Sequence, residues 1–275
     1  MTIRDLPLND SVTIPQLGFG VFQVDPSETQ KAVETALEVG YRHIDTARIY
    51  GNEEAVGAAL KASGLPSDEV FVTTKLWNSD QGVDETLAAF DASLDRLGLD
   101  VLDLYLIHWP TPERGLFVDT WKTFEKLHAD GRVRAIGVSN FRAQDLQTLS
   151  DQGLTTPSIN QVELHPALTQ VSLREYHAAN GILTEAWSPL AQGEVLEESV
   201  ITGIAAAHDA SPAQVVLAWH LAIGNVVIPK SVTPSRVAEN FAATEVELTD
   251  AEIEQISSLD RGHRTGPDPG TFNRG

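Results

Sequence analysis

The stretch "GYRHIDTARIYGNEEAVG" (residues 40–57) contains one complete change from strand to helix. His43-Ile44-Asp45 is predicted to be a short buried strand that ends on a carboxylate. Tyr50 follows five residues later, and Asn52-Glu53 opens an amphipathic segment of the kind that forms a helix. The stretch therefore predicts a strand–loop–helix unit whose loop carries ionisable side chains.

The same unit recurs along the chain. Short runs of β-branched, aliphatic and aromatic residues alternate with amphipathic segments, and such continuous runs are typical of parallel strands covered on both faces. Eight units in 275 residues predict an α/β fold, a closed (β/α)8 TIM barrel. An open doubly wound sheet is the alternative, disfavoured because "LGFGVFQ" has Gln23 where a dinucleotide-binding turn needs its last glycine. The predicted strands are residues 17–21, 43–45, 70–74, 102–107, 135–138, 159–163, 183–187 and 226–228.

Local signals add detail to this outline. Capping boxes are predicted at Ser27, Ser211 and Thr249, each followed three residues later by Gln or Glu. Residues 6–14 predict an N-terminal β-hairpin before the barrel. The Gly- and Pro-rich tail after Asp260 predicts a C-terminal loop, either disordered or laid over the barrel mouth. We expect residues 1–275 to form a single barrel domain.

Composition excludes several functions. The formal net charge is −20 and the pI is near 4.6, which disfavours a nucleic-acid surface. There are no cysteines, so disulfides, thiol catalysis and Cys-based metal sites are excluded, and no metal site is predicted. We find no signal-peptide pattern and no apolar run approaching the roughly 20 residues of a membrane span. The expectation is a cytoplasmic protein without a membrane partner.

Ionisable residues stand at the ends of neighbouring predicted strands. Asp45, Tyr50, Lys75 and His108 follow the second, third and fourth strands, and the carboxyl ends of barrel strands meet at one face. A lysine cation beside a tyrosine favours the phenolate and lowers the phenol pKa, while Asp45 would keep Lys75 charged. His108 can hydrogen-bond a substrate oxygen. The set therefore predicts a tuned general acid acting at a carbonyl.

Simpler interpretations remain at this point. Asp45 alone could cap a turn, Lys75 could be solvated, His108 could be a core histidine and Tyr50 a packing residue. The convergence of these four residues at successive strand ends argues against four unrelated structural roles. A Schiff-base role for Lys75, as in barrel aldolases, stays open on the residues alone.

A phosphate site is predicted after the last strand. "VVIPKSVTPSRVAEN" places Lys230 before a helix that begins at Thr233-Pro234, and Arg236 lies in its first turn. A helix N-terminus flanked by two cations suits a phosphate, and barrels often bind phosphate here. Two ordinary surface cations are the alternative, less expected in a chain with 19 basic and 39 acidic residues.

Three stretches resemble signatures of the aldo-keto reductase family. They are residues 40–57, "RAIGVSNF" (134–141) and "IPKSVTPSRVAEN" (228–240). "TTKLWNSD" and "LDLYLIHWP" also fit, so the resemblance covers essentially the whole chain, and within the family it points to the bacterial 2,5-diketogluconate reductase group.

The resemblance implies a monomeric barrel that transfers a hydride from NADPH to aldehydes or ketones, releasing NADP+. Tyr50 would be the proton donor, Lys75 and Asp45 its tuning pair, and His108 the residue that orients the carbonyl. Phe22, Trp77 and Trp109 would join His108 in the substrate pocket, beneath the C-terminal tail. The implied cofactor-binding residues are Ser139, Asn140, Gln161, Trp187, Ser188, Leu190, Lys230, Ser231, Val232, Arg236, Glu239 and Asn240.

The resemblance leaves the carbonyl substrate open between keto-sugars, α-dicarbonyls and other carbonyls. Arg48, in the loop between Asp45 and Tyr50, is unusual for the family motif; we expect it to be solvated, and an acid-binding role at the pocket rim is a hypothesis. Two other functions are weighed. One is a Schiff-base aldolase or phosphate-sugar isomerase, and the other is a non-catalytic NADPH-binding barrel protein.

Overall fold

A computed structural model of the protein describes residues 3–8 and 12–274. Strands β1 (Asp5–Pro7) and β2 (Thr13–Pro15) pair antiparallel with Leu6 opposite Ile14, which confirms the two arms of the predicted hairpin. Its turn, residues 9–11, lies outside the described residues. Eight parallel strands follow in sequential order: β3 (Phe19–Gly20), β4 (His43–Asp45), β5 (Phe71–Leu76), β6 (Leu102–Ile107), β7 (Val133–Ser139), β8 (Ile159–Glu163), β9 (Leu183–Trp187) and β10 (Val226–Val227).

The sheet closes on itself between its first and last strands. Leu17 bridges to Val227 in parallel, Gly18 N donates to Val227 O at 2.9 Å, and Gly20 N donates to Pro229 O at 3.1 Å. The predicted closed barrel is confirmed and the open doubly wound sheet is wrong. Strands β5 and β7 are longer than predicted, and β3 and β10 are shorter.

Helices surround the barrel, with two after β9 and two after β10. Of the predicted capping boxes, those at Ser211 and Thr249 are confirmed. The one at Ser27 is wrong because Asp25 caps the helix by accepting from Ser27 N at 2.8 Å, and Pro26 takes the first position, which suits proline. The helices are α1 (Pro26–Val39), α2 (Glu53–Ser63), α3 (Val83–Leu97), α4 (Phe117–Ala129), α5 (Ala143–Asp151), α6 (Val171–Ala179), α7 (Ser199–Ala207), α8 (Pro212–Ala222), α9 (Pro234–Phe241) and α10 (Asp250–Ser257).

The barrel interior is apolar at one end. Inward-facing residues such as Phe71, Leu104 and Ile159 pack with Leu6 and Ile14 of the hairpin, which plugs that end. A second apolar layer, including Trp121 and Trp219, lies between the strands and the helices. Because one end is filled with apolar side chains, the polar residues of the interior collect at the other end, where the strands finish.

The C-terminal tail crosses the open end. Thr265 N and Gly266 N donate to Glu163 at 2.5 and 3.2 Å, and the Phe272 ring lies 4.4 Å from that of Trp109. This confirms the loop over the barrel mouth, and the disordered alternative is wrong. In the part of the chain that the structure describes, no helix has the length and apolar character needed to cross a bilayer.

Candidate active site

Two ionisable side chains from adjacent strands form a buried ion pair at the open end. Lys75 Nζ on β5 lies 2.6 Å from Asp45 Oδ1 on β4 and donates to Thr46 O at 2.9 Å. Burial lowers the pKa of Lys75, but the charge of Asp45 and the hydrogen bond to it act in the opposite direction, and the net pKa is raised. Lys75 therefore stays protonated. A Schiff-base lysine must present a neutral, accessible amine, which this geometry does not provide.

Tyr50 ends the short 3-10 turn Arg48–Tyr50 that follows β4. Its ring centre lies 5.2 Å from Lys75 Nζ. Burial raises the pKa of Tyr50, while Lys75 opposes that shift, so the expected lowering is wrong in its net direction. Desolvation of the phenolate dominates because the phenol faces apolar rings as well as the ammonium. The phenol is thus protonated near neutral pH, and Lys75 reduces the cost of giving that proton up.

His108 completes the predicted group. Burial, with the nearby Lys75 charge, holds the pKa of His108 well below its usual value, so the imidazole is neutral. Its ring meets those of Tyr50 and Trp77 edge-on at 5.7 and 5.2 Å. A neutral imidazole can donate one N–H to a carbonyl oxygen beside the phenol. The structure therefore brings together all four residues predicted to carry the chemistry.

Asn140 organises the wall opposite this group. It adopts a left-handed conformation with φ of 62°, which asparagine tolerates better than most residues. Its Nδ2 donates to His108 O at 2.9 Å, and its Oδ1 accepts from Trp187 Nε1 at 2.9 Å. Ser139 Oγ donates to Gln161 O at 2.8 Å. Asn140 thereby fixes the indole of Trp187 as a flat platform beside the reacting group.

Gln161 connects the ion pair to a residue that the sequence did not single out. Its Nε2 donates to Asp45 Oδ2 at 2.8 Å and to Glu185 Oε2 at 2.9 Å. Glu185 lies on β9 and is fully buried. A carboxylate within the predicted strand 183–187 was the available signal, because charged residues are rarely buried without a partner.

One cavity of about 1320 Å³ joins these groups at the barrel mouth. Lys75 is absent from its lining and lies beneath Tyr50, while Val232 is an exposed side chain outside it. The contact of Val232 with the cofactor stays a prediction. The predicted residues that do line it are Phe22, Asp45, Tyr50, Trp77, His108, Trp109, Ser139, Asn140, Gln161, Trp187, Ser188, Leu190, Lys230, Ser231, Arg236, Glu239 and Asn240.

The far end of the cavity is cationic. Lys230 and Arg236 are exposed there, and within the described ranges neither lies within 4.0 Å of a carboxylate. Ser231 Oγ accepts from Thr233 N at 3.1 Å, and Glu239 accepts from Ser211 Oγ at 2.5 Å. Two unpaired cations at the start of α9 provide the charge that an anion needs. The N-terminus of α8, residues 211–213, also lines this end and was not predicted.

The near end of the cavity is aromatic. Phe22 packs on Tyr50 with ring centres 5.0 Å apart, and Trp77 and Trp109 continue the wall. Phe272 and Ile49 also line it and were not predicted. Phe272 is the single aromatic residue of the tail, and that isolation in a Gly- and Pro-rich segment was the sequence signal that could have identified it.

Arg48 does not face this cavity. Its Nε lies 2.8 Å from Asp80 Oδ2, in the turn after β5, and it is absent from the lining. The side chain is exposed, as expected, and its charge is in addition paired with Asp80. That pairing also leaves no free guanidinium at the rim for an acidic substrate.

The described residues thus combine a phenol above a buried lysine–aspartate pair with a cavity that has one cationic end. The sequence pattern of the Aldo/keto reductase family matches residues 16–261, and the chain belongs to that family.

Individual relatives are similar over nearly the whole chain. The glyoxal reductase of Bacillus subtilis (strain 168) is 49% identical over 95% of this chain and 95% of its own length. The methylglyoxal reductase DkgA of Yersinia pestis is 49% identical over 99% of both. A crystal structure of a Gox0644 mutant in complex with NADPH superposes with a TM-score of 0.95, at 45% identity and 99% coverage of both chains.

Proposed function

We propose that this aldo-keto reductase reduces small α-dicarbonyl compounds of the glyoxal and methylglyoxal type, with NADPH as the reductant and Tyr50 as the proton donor. Family membership makes the chain an NADPH-dependent carbonyl reductase. One observation supports the assignment of roles more than any other. The buried Asp45–Lys75 pair lies directly beneath Tyr50, at the wall of a cavity that also reaches Lys230 and Arg236.

The donor set of the cavity fits NADPH. Lys230, Ser231 and Arg236 would hold the 2′-phosphate, because cations and a helix N-terminus favour a dianion. Glu239 and Asn240 line the cavity where the adenine would lie beside them. At the other end Trp187 offers a ring face for the nicotinamide, and the amides of Asn140 and Gln161 can meet its carboxamide. The 2,5-diketogluconate reductase grouping within the family stays a prediction.

The chain's own residues supply the proton and the orientation. NADPH, when bound, supplies the hydride that reduces the carbonyl carbon. Tyr50 Oη would give its proton to the carbonyl oxygen as negative charge develops there, and the Lys75 ammonium stabilises the resulting phenolate. The neutral imidazole of His108 donates a hydrogen bond to the same oxygen. Asp45 keeps Lys75 charged in a site where burial alone would remove its proton.

The aromatic end of the cavity favours small neutral carbonyls. Phe22, Trp77, Trp109 and Phe272 surround the approach to Tyr50, and Arg48, in the same turn as Tyr50, is paired with Asp80. Flat dicarbonyls can pack between aromatic faces without needing a counter-charge. The relatives described as glyoxal and methylglyoxal reductases support the same class.

The complete site comes from one chain, so we infer that the protein works as a monomer, and sedimentation of the purified protein checks this. A cytoplasmic location and the absence of nucleic-acid and membrane partners stay predictions.

A kinetic panel tests the proposed substrate class. We expect kcat/KM for methylglyoxal and glyoxal to exceed that for pyruvate and 2,5-diketogluconate by about tenfold or more, because the described residues at the aromatic end of the cavity include no unpaired cation. Tyr50→Phe is the control for non-enzymatic loss of NADPH, since dicarbonyls are reactive. Preference for the sugar acid would instead support the 2,5-diketogluconate group, and no turnover of any carbonyl would remove the reductase assignment.

A further inference from the structure

Glu185 is a buried carboxyl group that the reaction outlined above does not use. It projects into the barrel from β9, with one oxygen on Gln161 Nε2 and the other, Oε1, without a hydrogen-bond partner among the residues that the structure describes. The only cation-forming side chain within 4.0 Å of it, again among those residues, is His43, whose Nε2 lies 3.9 Å from Oε1. Burial lowers the pKa of His43 to about 3, so the imidazole is neutral and offers no counter-charge.

Gln161 links Glu185 to the ion pair across the barrel. Strand β8, which carries Gln161, is separated from β4, which carries Asp45, by three strands on one side of the sheet. The two N–H groups of a single amide are divided between Asp45 Oδ2 and Glu185 Oε2. Each carboxyl therefore determines where the amide can point. Because Asp45 Oδ2 accepts from Gln161, Asp45 Oδ1 remains directed at Lys75 Nζ. The side-chain oxygen of Gln161 can then accept a hydrogen bond from another group.

We propose that Glu185 is a positioning residue for carbonyl reduction, which shares the Gln161 amide with Asp45 and thereby holds the Asp45–Lys75 pair beneath Tyr50. This inference rests on the proposed function of the site. Its second consequence concerns the cofactor: with both N–H groups of Gln161 engaged, the amide oxygen is the group available to accept from the nicotinamide carboxamide.

The protonation state of Glu185 follows from its neighbours. The titratable groups facing it are Asp45 and His43 from β4, Lys75 from β5, and Tyr50 above them; β10 contributes the apolar Val226. Burial, with the charge of Asp45, raises the pKa of Glu185 to about 8. Below that pH the carboxyl is neutral and stabilises the amide without repelling Asp45.

Ionisation of Glu185 would disturb the proton donor. A second carboxylate would then face Asp45 across one amide, and its charge raises the pKa of Tyr50. A phenol of higher pKa is a weaker acid. Reduction should therefore slow as pH rises through about 8, which lies well below the pH at which Tyr50 itself loses its proton.

The test compares Glu185→Gln, which keeps the shape and stays neutral, with Glu185→Ala, which leaves one N–H of Gln161 without its acceptor. The matched control is Asp103→Asn, because Asp103 is also a buried barrel carboxylate but bonds Val72 N and Arg134 away from the cavity. Single-turnover reduction of methylglyoxal is followed between about pH 6 and 9, a range that spans the expected titration. NADPH affinity is followed separately by quenching of tryptophan fluorescence.

We expect Glu185→Ala to slow the single-turnover rate about tenfold, because loss of positioning at a reacting group is costly even without loss of a contact to substrate. Glu185→Gln should stay within about threefold of wild type near neutral pH and should lack the fall in rate near pH 8. Its NADPH affinity should be unchanged. Asp103→Asn should keep the wild-type rate and profile even if it is less stable.

Several results would overturn the inference. The first is an unchanged single-turnover rate in folded Glu185→Ala. The second is a loss of rate in Glu185→Gln as large as that in Glu185→Ala. The third is a pH profile of Glu185→Gln that keeps the wild-type fall in rate near pH 8. If the alanine variant does not fold, the pH profile of Glu185→Gln still decides the matter. Wild type and Tyr50→Phe run in parallel separate the two claims: an inactive wild type removes the proposed function, whereas an active wild type with unaffected Glu185 variants removes only this inference.

Discussion

Lys75 Nζ lies 2.6 Å from Asp45 Oδ1, with side-chain exposures of 1% and 3%. Because water is excluded, the ammonium acts on Tyr50 with little screening. We therefore expect Lys75→Met to lower kcat for methylglyoxal by about 10²- to 10⁴-fold, the range found for a lost acid–base contribution. The NADPH dissociation constant should change little. Lys122→Met, which removes an exposed lysine paired with Asp119, is the control and should retain full activity.

We assign the preference for NADPH over NADH to Arg236. Replacing it with alanine removes a charge-assisted contact to the 2′-phosphate, so the NADPH dissociation constant should rise about tenfold while that of NADH stays within a factor of about two. The effect should shrink at high salt because Arg236 is exposed. Arg132→Ala, which removes a partly exposed arginine paired with Asp91, should alter neither affinity. Equal weakening of both cofactors would place the phosphate elsewhere.

Arg48 should not discriminate between acidic and neutral substrates. Its guanidinium is 2.8 Å from Asp80 and does not line the cavity. In Arg48→Ala we expect kcat/KM for pyruvate and for methylglyoxal to change by the same factor, about threefold or less, through a modest loosening of the loop before Tyr50. A loss confined to pyruvate would restore the acid-binding hypothesis.

The raised pKa of Glu185 also predicts how the free energy of unfolding depends on pH. Its pKa is raised by burial to about 8 in the folded state, above the usual 4.5 that the unfolded chain would show. Between these values the unfolded chain releases a proton that the folded chain retains, so the free energy of unfolding falls as pH rises, by at most about 1.4 kcal/mol per pH unit. Below pH 4.5, Glu185 is protonated in both the folded and the unfolded chain, so it no longer makes the free energy of unfolding depend on pH.

The Glu185→Gln variant has no carboxyl proton at this position, so this contribution to the pH dependence of stability is absent. The thermal midpoint of the variant relative to wild type should therefore increase steadily from about pH 5 to pH 8, as measured by differential scanning calorimetry of the two proteins in the same buffers. A constant difference across that range would show that Glu185 is ionised in the folded protein.

The sequence was sufficient to predict the barrel and the close approach of the four residues proposed to carry the chemistry. Asp45, Lys75 and His108 stand at the ends of consecutive strands, and the geometry of parallel barrels brings such ends to one face whatever the loops do. The capped ends of α8 and α10 depend on contacts three residues apart, so they too were predictable. The cap of α1 was missed because Asp25 and Pro26 offered a better start than Ser27.

Contacts between residues that are far apart along the chain could not be predicted from the sequence. Asp80 is the partner of Arg48, and the amide of Gln161 joins Glu185 to Asp45 across the barrel interior. The net shift of the Tyr50 pKa depends on the balance between the burial of the phenol and the charge of Lys75. The extent of burial is known only from the folded structure.

Tyr50 is proposed to give the proton to the carbonyl oxygen. The most direct measurement is single-turnover hydride transfer to methylglyoxal in Tyr50→Phe, with NADPH binding measured on the same sample by tryptophan fluorescence. Phenylalanine keeps the ring that packs on Phe22 and His108 and removes only the hydroxyl. We expect hydride transfer to fall by at least about 10²-fold while NADPH binds as in wild type. Hydride transfer at the wild-type rate with NADPH bound would contradict this assignment.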